Sequence, residues 1–263
     1  MIRNYICLAL FRVCTIVTAT IAGTLIASIA LAQNDRRQLG FDVDFSNCIE
    51  SIGVGLLPTE KVRSLVPAEF LLVGEVAPVT PIVVRTARCD SISVAGRRPS
   101  SGAVVQIGAV IVPPDFTGDI NNYTLWYYTS NVELAVRLSQ IGVDAQFVPT
   151  LDYDLFRSGQ DGLFHVAVPL PGRPSLKLEG VVTQSNSPAG SFEANWWVKG
   201  NHHILKMNTR VPEIFIGNAD LTLETRAQNQ LGQLIGGDTL NFPILQQFNT
   251  FNRAPMHVSV FAP

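Results

Sequence analysis

Short runs rich in Val, Ile, Thr, Tyr and Phe recur along the chain, and clusters of Pro, Gly, Asn and Asp separate them. This pattern is typical of β-sandwiches and β-barrels, because β-branched and aromatic residues favour strands and the intervening residues favour turns. No Ser/Gly-rich linker divides the chain, and its length is within the range of a single all-β domain. The clearest predicted strands are Ile82–Cys89, Val104–Val112, Asn122–Ser130, Gly162–Leu170, Ser175–Gln184, Ser191–Lys199, His202–Arg210 and Ala219–Arg226.

Helical signals are fewer and short. The segment Thr59–Val66 follows Pro58 and ends before Pro67, which indicates one helix. A second helix is predicted from Ser130/Asn131 to Ile141, because an N-cap candidate precedes leucines at helical spacing and a glycine follows. A third, short helix is predicted over Gln228–Ile235. We therefore predict a mainly β or α+β fold, a single antiparallel barrel with two or three short helices.

Charge is sparse in this sequence. Only 15% of the 263 residues are charged, the formal net charge is -2, and basic residues occur in runs of at most two. A nucleic-acid-binding protein normally carries a clustered basic surface, so nucleic acid is not an expected partner. The common nucleotide, zinc-protease and serine-hydrolase motifs are also missing from the sequence. We expect a small-molecule ligand and neither a cofactor nor a resident metal.

The first 32 residues have the pattern of a secretory signal. Arg3 and Arg12 precede an uncharged apolar stretch that ends in Ala30-Leu31-Ala32, which fits cleavage between Ala32 and Gln33. The alternative is an uncleaved anchor formed by residues 13–32, since this stretch is long enough to span a bilayer. With cleavage, we expect a secreted or periplasmic protein without stable membrane association. Its net charge becomes -4, because two arginines leave with the signal.

The mature chain is divided into a polar lead-in, residues 33–45, and a β-barrel domain, residues 46–263. It retains two cysteines, Cys48 and Cys89. In an oxidising compartment such an isolated pair predicts one disulfide, with two buried free thiols as the alternative.

One strand face suggests a ligand site. Alternate residues of the predicted strand His202–Arg210 are largely polar, and acidic and basic residues occur on the preceding strand. One interpretation is the solvent face of an antiparallel hairpin turning at Gly200-Asn201. The other is a barrel interior that holds an anionic or carbonyl ligand, with aromatic side chains as part of its wall. The residues of this second hypothesis are Trp126, Tyr128, Glu193, Lys206 and Arg210.

Five segments of the chain, in this order, carry a resemblance to a known family: Leu57–Phe70 (LPTEKVRSLVPAEF), Gln106–Val110, Asn122–Tyr128, Glu133–Leu138 and Gly217–Leu223. In element order and in their short apolar signatures they resemble the acetoacetate decarboxylase-like superfamily, over residues 48 to 235. The resemblance implies a cone-shaped antiparallel β-barrel with a buried cavity.

The same resemblance implies a particular chemistry. The superfamily's enzyme forms a Schiff base with a lysine whose amine is activated by desolvation and a neighbouring cation. In this sequence the corresponding stretch, Leu138–Ala145, contains no lysine, and none occurs between Lys61 and Lys177. We therefore expect an exported barrel protein that binds a small carbonyl or carboxylate ligand without Schiff-base catalysis. The alternative is a lyase of the same superfamily that uses other groups, such as Lys206 or the Asp152 and Asp154 pair.

Overall fold

The computed structural model describes residues 40–169, 175–200 and 203–261. The predicted signal segment, its cleavage site at Ala32 and Gln33, and residues 33–39 of the predicted lead-in lie outside the described residues. From Phe41 onward the chain forms a single compact unit.

Strands dominate this unit, and three α-helices occur within the described ranges. The strands are β1 Phe41–Pro58, β2 Val79–Val94, β3 Ser100–Val110, β4 Ile120–Thr129, β5 Ala145–Phe147, β6 Asp152–Ser158, β7 Asp161–Val168, β8 Leu176–Thr183, β9 Pro188–Lys199, β10 Ile204–Thr225, β11 Thr239–Asn241 and β12 Leu245–Phe261. The helices are α1 Thr59–Arg63, α2 Val132–Gln140 and α3 Gln230–Ile235.

Seven strands close into a ring in the order β12-β1-β2-β3-β4-β9-β10, with β10 pairing back onto β12. The prediction of a mainly β barrel with two or three short helices is confirmed. The sheet is mixed and not wholly antiparallel, because β4 pairs in parallel with both β9 and β5. The parallel β4–β9 pairing extends only over residues 120–123 and 194–197, so this is the shortest contact between neighbours in the ring.

The first ring strand begins earlier than expected. Residues 41–45 were predicted to belong to the polar lead-in, but they form the start of β1 and pair with β12. Phe41, Val43 and Phe45 are buried, whereas Asp42 is exposed and Asp44 is half-buried. Apolar residues therefore alternate with aspartates at the period of a strand, and this alternation outweighs the local polarity.

The predicted hairpin between β9 and β10 exists, with a longer connection than the expected two-residue turn. Lys199 pairs with Ile204, and the Gly200 amide donates to the His203 carbonyl oxygen at 2.9 Å. The connection therefore spans residues 200–203, of which 201 and 202 are outside the described ranges.

A second layer covers part of the outer face of the ring. Beyond its ring contacts, β10 pairs with β8, which continues the sheet to β7 and β6. Phe164 of β7 meets Phe248 of β12 with ring centroids 6.0 Å apart, and the Tyr153 hydroxyl donates to the Ile49 carbonyl oxygen. The ring wall is consequently buried on two sides: toward its interior and toward this outer layer.

Helix α2 has the predicted N-cap. The Asn131 side chain accepts a hydrogen bond from the Leu134 amide at 2.9 Å, and Leu134 and Leu138 are fully buried. Helix α1 ends at Arg63, three residues earlier than predicted, and α3 begins at Gln230 after its N-cap Asn229.

The predicted disulfide between Cys48 and Cys89 is present. The two cysteines are directly opposite in the β1–β2 register, with their Cα atoms 4.1 Å apart, and both are buried. A buried disulfide indicates an oxidising compartment. Within the described residues, no helix has the length and apolar character needed to cross a membrane.

Candidate functional site

A cavity of about 290 Å³ lies inside the ring, and we call it the ring cavity. Alternate residues of β1, β2, β4, β9, β10 and β12 line it, which is the periodicity expected for the inner face of a barrel. The described lining consists of Glu50, Ile52, Val83, Arg85, Asp119, Ile120, Asn122, Phe192, Ala194, Trp196, Thr209, Val211, Ile214, Ile216, Leu245, Gln247 and Asn249.

A charged pair is buried in the wall of this cavity. The Nε atom of Arg85 donates to Glu50 Oε2 at 2.6 Å, and the exposed fractions of the two side chains are 12% and 4%. Asn249, opposite Glu50 in the β1–β12 register, donates from Nδ2 to Glu50 Oε1 at 3.2 Å. Both carboxylate oxygens of Glu50 are therefore hydrogen-bonded, which such a buried anion requires.

Two carboxamides of the lining are incompletely paired. Asn122 is fully buried, and neither its Nδ2 nor its Oδ1 has a hydrogen-bond partner. The Oδ1 of Asn249 also lacks one. Buried polar groups in proteins are nearly always paired with protein or water, so these three atoms mark places where a further molecule could be bound.

Two aromatic residues lie near the polar residues, Trp196 in the lining of the ring cavity and Tyr127 outside it. Trp196 packs against Gly108 of β3, where a Cβ would lie 2.7 Å from the indole ring, so glycine is needed for this close approach. Tyr127 is opposite Gln106, which is opposite Arg85, so the three residues form one cross-strand row. Burial raises the pKa of the Tyr127 hydroxyl, which therefore stays protonated across the physiological range.

None of the five residues predicted to bind a ligand lines the ring cavity. Trp126 lines a second cavity, of about 550 Å³, between β4, the α2–β5 loop and the end of β9. Glu193 and Arg210 line a third, of about 300 Å³, which shares Asp119 and Phe192 with the ring cavity. Tyr128 is buried in the hydrophobic core that includes the outer layer.

Lys206 faces away from the ring cavity, because Thr209 and Val211 line it and strand alternation turns Lys206 to the other face. Its Nζ donates to Asp115 Oδ2 at 2.5 Å and to the Thr117 hydroxyl at 2.6 Å. It also lies 5.3 Å from the centre of the Trp197 ring. Lys206 is therefore neither on an open solvent face nor in the barrel interior. Its contacts with Asp115 and Thr117 hold the β3–β4 loop against the outer face of the ring.

This contact makes stability depend on pH. Burial raises the pKa of the Asp115 carboxyl, but hydrogen bonds from Lys206 and Thr117 outweigh burial, and the net pKa lies below its usual value. Asp115 therefore stabilises the fold above the unfolded-state pKa of about 4, and this stabilisation is lost as pH falls through the lowered pKa of the folded state.

We expect Lys206→Met to lower the free energy of unfolding by about 1 to 2 kcal/mol at pH 7. The difference from the wild type should shrink when urea unfolding is repeated at about pH 3, below the unfolded-state pKa of an aspartate, where protonation of Asp115 favours the unfolded chain. Lys199→Met, which removes a more exposed ion pair with Glu69, is the control and should lower the free energy of unfolding far less. An equal loss at both pH values for Lys206→Met would contradict this role of Asp115.

The other lysines also lie outside the ring cavity. Lys61 donates to the Gln233 carbonyl oxygen, Lys177 is paired with Glu179 and Glu224, and Lys199 is paired with Glu69. The stretch Leu138–Ala145 forms the end of α2 and the start of β5, where Ala145 is aligned with Tyr127. No lysine is present among the described residues that line the ring cavity.

The predicted pair Asp152 and Asp154 lies on the outer strand β6. Asp154 is opposite His165, whose Nδ1 is 2.7 Å from Glu179 Oε1, and Asp152 Oδ2 is 3.6 Å from His165 Nε2. These side chains are all partly exposed. No group of three or more His, Cys, Asp or Glu residues arranged to hold a metal ion occurs in the described parts of the chain.

The residues that form the polar part of the ring cavity were missed in the sequence. The available signal was a charged residue next to an apolar run: Arg85 directly follows Ile82-Val83-Val84, and Glu50 precedes the apolar run of β1. A charge at such a position is buried only with a partner, and the pattern does not identify the partner.

Comparisons with known proteins bear on the fold. No protein-family profile and no curated protein sequence matches this chain. Several solved structures are similar to it. Acetoacetate decarboxylase from Legionella pneumophila is 9% identical, with a TM-score of 0.53 over 84% of this chain and 87% of that chain. An acetoacetate decarboxylase-like enzyme from Sphingomonas wittichii is 10% identical, with a TM-score of 0.54 over 84% and 92%.

A third is the enduracididine biosynthesis enzyme MppR, solved with the condensation product of pyruvate and imidazole 4-carboxaldehyde. It is 11% identical, with a TM-score of 0.51 over 85% of this chain and 87% of that chain. At sequence identities this low, structural similarity shows a shared fold and does not show a shared activity. The chain has the fold of acetoacetate decarboxylase, as the resemblance in its sequence implied.

Proposed function

We propose that this protein is exported and binds a small organic molecule with a carbonyl or carboxylate group in the ring cavity, without forming a Schiff base. The observation that carries the proposal is the composition of the cavity wall. It combines apolar side chains with a few convergent polar groups, Glu50, Arg85 and the two asparagines, and its described lining contains no lysine. Such a mixture is typical of small-molecule sites.

Export is supported by two independent features. Residues 1–32 have the composition of a signal segment, and the Cys48–Cys89 disulfide fits an oxidising compartment. Intact-mass measurement of the secreted protein tests this part, since cleavage after Ala32 makes Gln33 the first residue.

The second candidate function is a lyase, and one observation favours it. Glu50 is a buried carboxylate at the wall of the ring cavity, the kind of position from which a general acid or base acts. The groups predicted from sequence for this chemistry, Lys206 and the Asp152 and Asp154 pair, are engaged elsewhere on the fold.

Borohydride trapping tests whether the protein forms a Schiff base. A Schiff base needs an uncharged lysine amine within reach of the carbonyl substrate, and a solvated lysine with a pKa near 10.4 is protonated at neutral pH. We expect borohydride added with acetoacetate to leave the protein mass unchanged. A stoichiometric adduct on any lysine would make the protein a Schiff-base enzyme.

Two further measurements on the same purified protein distinguish binding from lyase activity. Native mass spectrometry should show a small molecule bound to the purified protein without a covalent bond. Release of acetone and carbon dioxide from acetoacetate without an adduct, and its loss in Glu50→Gln, would instead establish a lyase that acts through Glu50.

A further inference from the structure

We propose that the ring cavity selects a neutral ligand that carries a hydrogen-bond donor beside a carbonyl acceptor, such as a primary amide, over the corresponding carboxylate. This inference rests on the proposed function, because it specifies the chemical class of the ligand that the cavity takes.

The first argument is the charge of the wall. Three charged residues line the cavity in the described part of the chain: Glu50, Arg85 and Asp119. The single cation, Arg85, already has its counter-charge in Glu50 at 2.6 Å. A bound carboxylate would therefore meet no uncompensated positive charge, and it would lie in the same cavity as the buried Glu50 carboxylate and the exposed Asp119 carboxylate.

The second argument is the set of polar atoms that lack partners. Asn122 offers an amide donor and a carbonyl acceptor, and Asn249 offers a second acceptor. A carboxylate can only accept hydrogen bonds, so it could satisfy the donor and would leave both acceptors unpaired. A primary amide both donates and accepts, and it can therefore complement these atoms without bringing a charge.

The third argument is size and shape. A cavity of about 290 Å³ is at the lower end of the range for ligand sites, so the ligand is small. Trp196, Val211 and Ile214 provide an apolar surface in the same cavity. We therefore expect a ligand of a few carbon atoms, with a polar group at one end and a short apolar group at the other.

A matched pair of probes tests the selection. Acetoacetamide and acetoacetate differ in one group, an amide against a carboxylate, and have nearly the same shape. At pH 7 we expect calorimetry or ligand-observed NMR to give a Kd at least about tenfold lower for acetoacetamide. Equal or tighter binding of acetoacetate would overturn the inference, as would no binding of acetoacetamide at about 10 mM.

The outcomes distinguish this inference from the proposed function. Preferential binding of acetoacetate rejects neutral selection and leaves a non-covalent binding protein intact. A lysine adduct in the borohydride experiment rejects the binding function itself.

Glu50→Gln should weaken or cancel the preference, because it keeps one acceptor oxygen at this position while it leaves the guanidinium without a counter-charge. We expect acetoacetate to bind about tenfold more tightly to this variant than to the wild type. Glu60→Gln makes the same charge change at an exposed site on α1 and should leave both affinities unchanged. Unaltered acetoacetate affinity in folded Glu50→Gln would contradict the charge argument.

Asn122→Leu gives a readout that does not depend on the charged pair. Removing an unpartnered buried amide should raise the melting temperature of the free protein and abolish acetoacetamide binding. Retention of full acetoacetamide affinity in this variant would show that Asn122 takes no part in ligand recognition and would overturn the donor–acceptor argument.

Discussion

Replacing Arg85 by methionine should lower the free energy of unfolding by about 3 to 5 kcal/mol at pH 7. Methionine keeps the length and much of the apolar stem of arginine but removes the guanidinium that lies 2.6 Å from Glu50. The Glu50 carboxylate, only 4% exposed, would then be buried with Asn249 as its one remaining hydrogen-bond donor among the described residues. Urea unfolding followed by circular dichroism measures the loss.

A double variant identifies the cause. Adding Glu50→Gln to Arg85→Met removes the unpaired charge and retains an acceptor for Asn249, so most of the lost stability should return. Arg157→Met, at an exposed arginine that donates to the Gln184 side chain, is the surface control and should change stability by less than about 0.5 kcal/mol. If the double variant is as unstable as Arg85→Met alone, packing of the arginine stem is responsible and the charge is not.

Removal of the disulfide should have a comparable effect. The cysteines are 41 residues apart, and on the chain-entropy relation closure of such a loop contributes roughly 4 kcal/mol. Cys48→Ala with Cys89→Ala should therefore lower the free energy of unfolding by about this amount. Both sulfurs are deep in the β1–β2 ladder, so reduction of the wild type requires prior unfolding.

The comparison is made by chemical denaturation of three samples: oxidised wild type, wild type unfolded and refolded in reductant, and the double variant. The free energies of unfolding of the reduced wild type and of the double variant should agree with each other, and both should be lower than that of the oxidised wild type. Two thiols titrating in unfolded, unreduced mature protein would contradict the assignment of this bond.

Much of the fold could be predicted from local pattern. Strands such as Asn122–Ser130 and helix α2 with its Asn131 cap combine periodicity and boundary residues that agree with each other. Two long strands that were missed, β1 and β12, contain several polar residues, and long-range pairing with each other stabilises them. Local propensity does not report such tertiary pairing.

The candidate site was harder to predict for a geometric reason. Alternation along a strand divides its residues between two faces, but it does not reveal which face lines the cavity. Here the outer face of the wall is also covered, so Lys206 on one face and Thr209 on the other are both largely shielded from solvent. Lys206 is polar because it binds the β3–β4 loop outside the ring, and not because it faces the cavity. Arg85, which does line the cavity, lies in a strand whose pattern predicted a buried core strand.

Closure of the ring has a consequence for the order of events during folding. The hydrogen bond from Asn249 to Glu50 joins residues 199 positions apart, and the whole β1–β12 ladder is similarly distant along the chain. Contacts of such long range make folding slow, because loop-closure entropy is lost before the ladder can compensate for it. A growing polypeptide therefore cannot complete either the wall or the recognition groups until its last strand has been synthesised. Under the export proposed above, we expect this late dependence on β12 to delay folding until the whole chain is available.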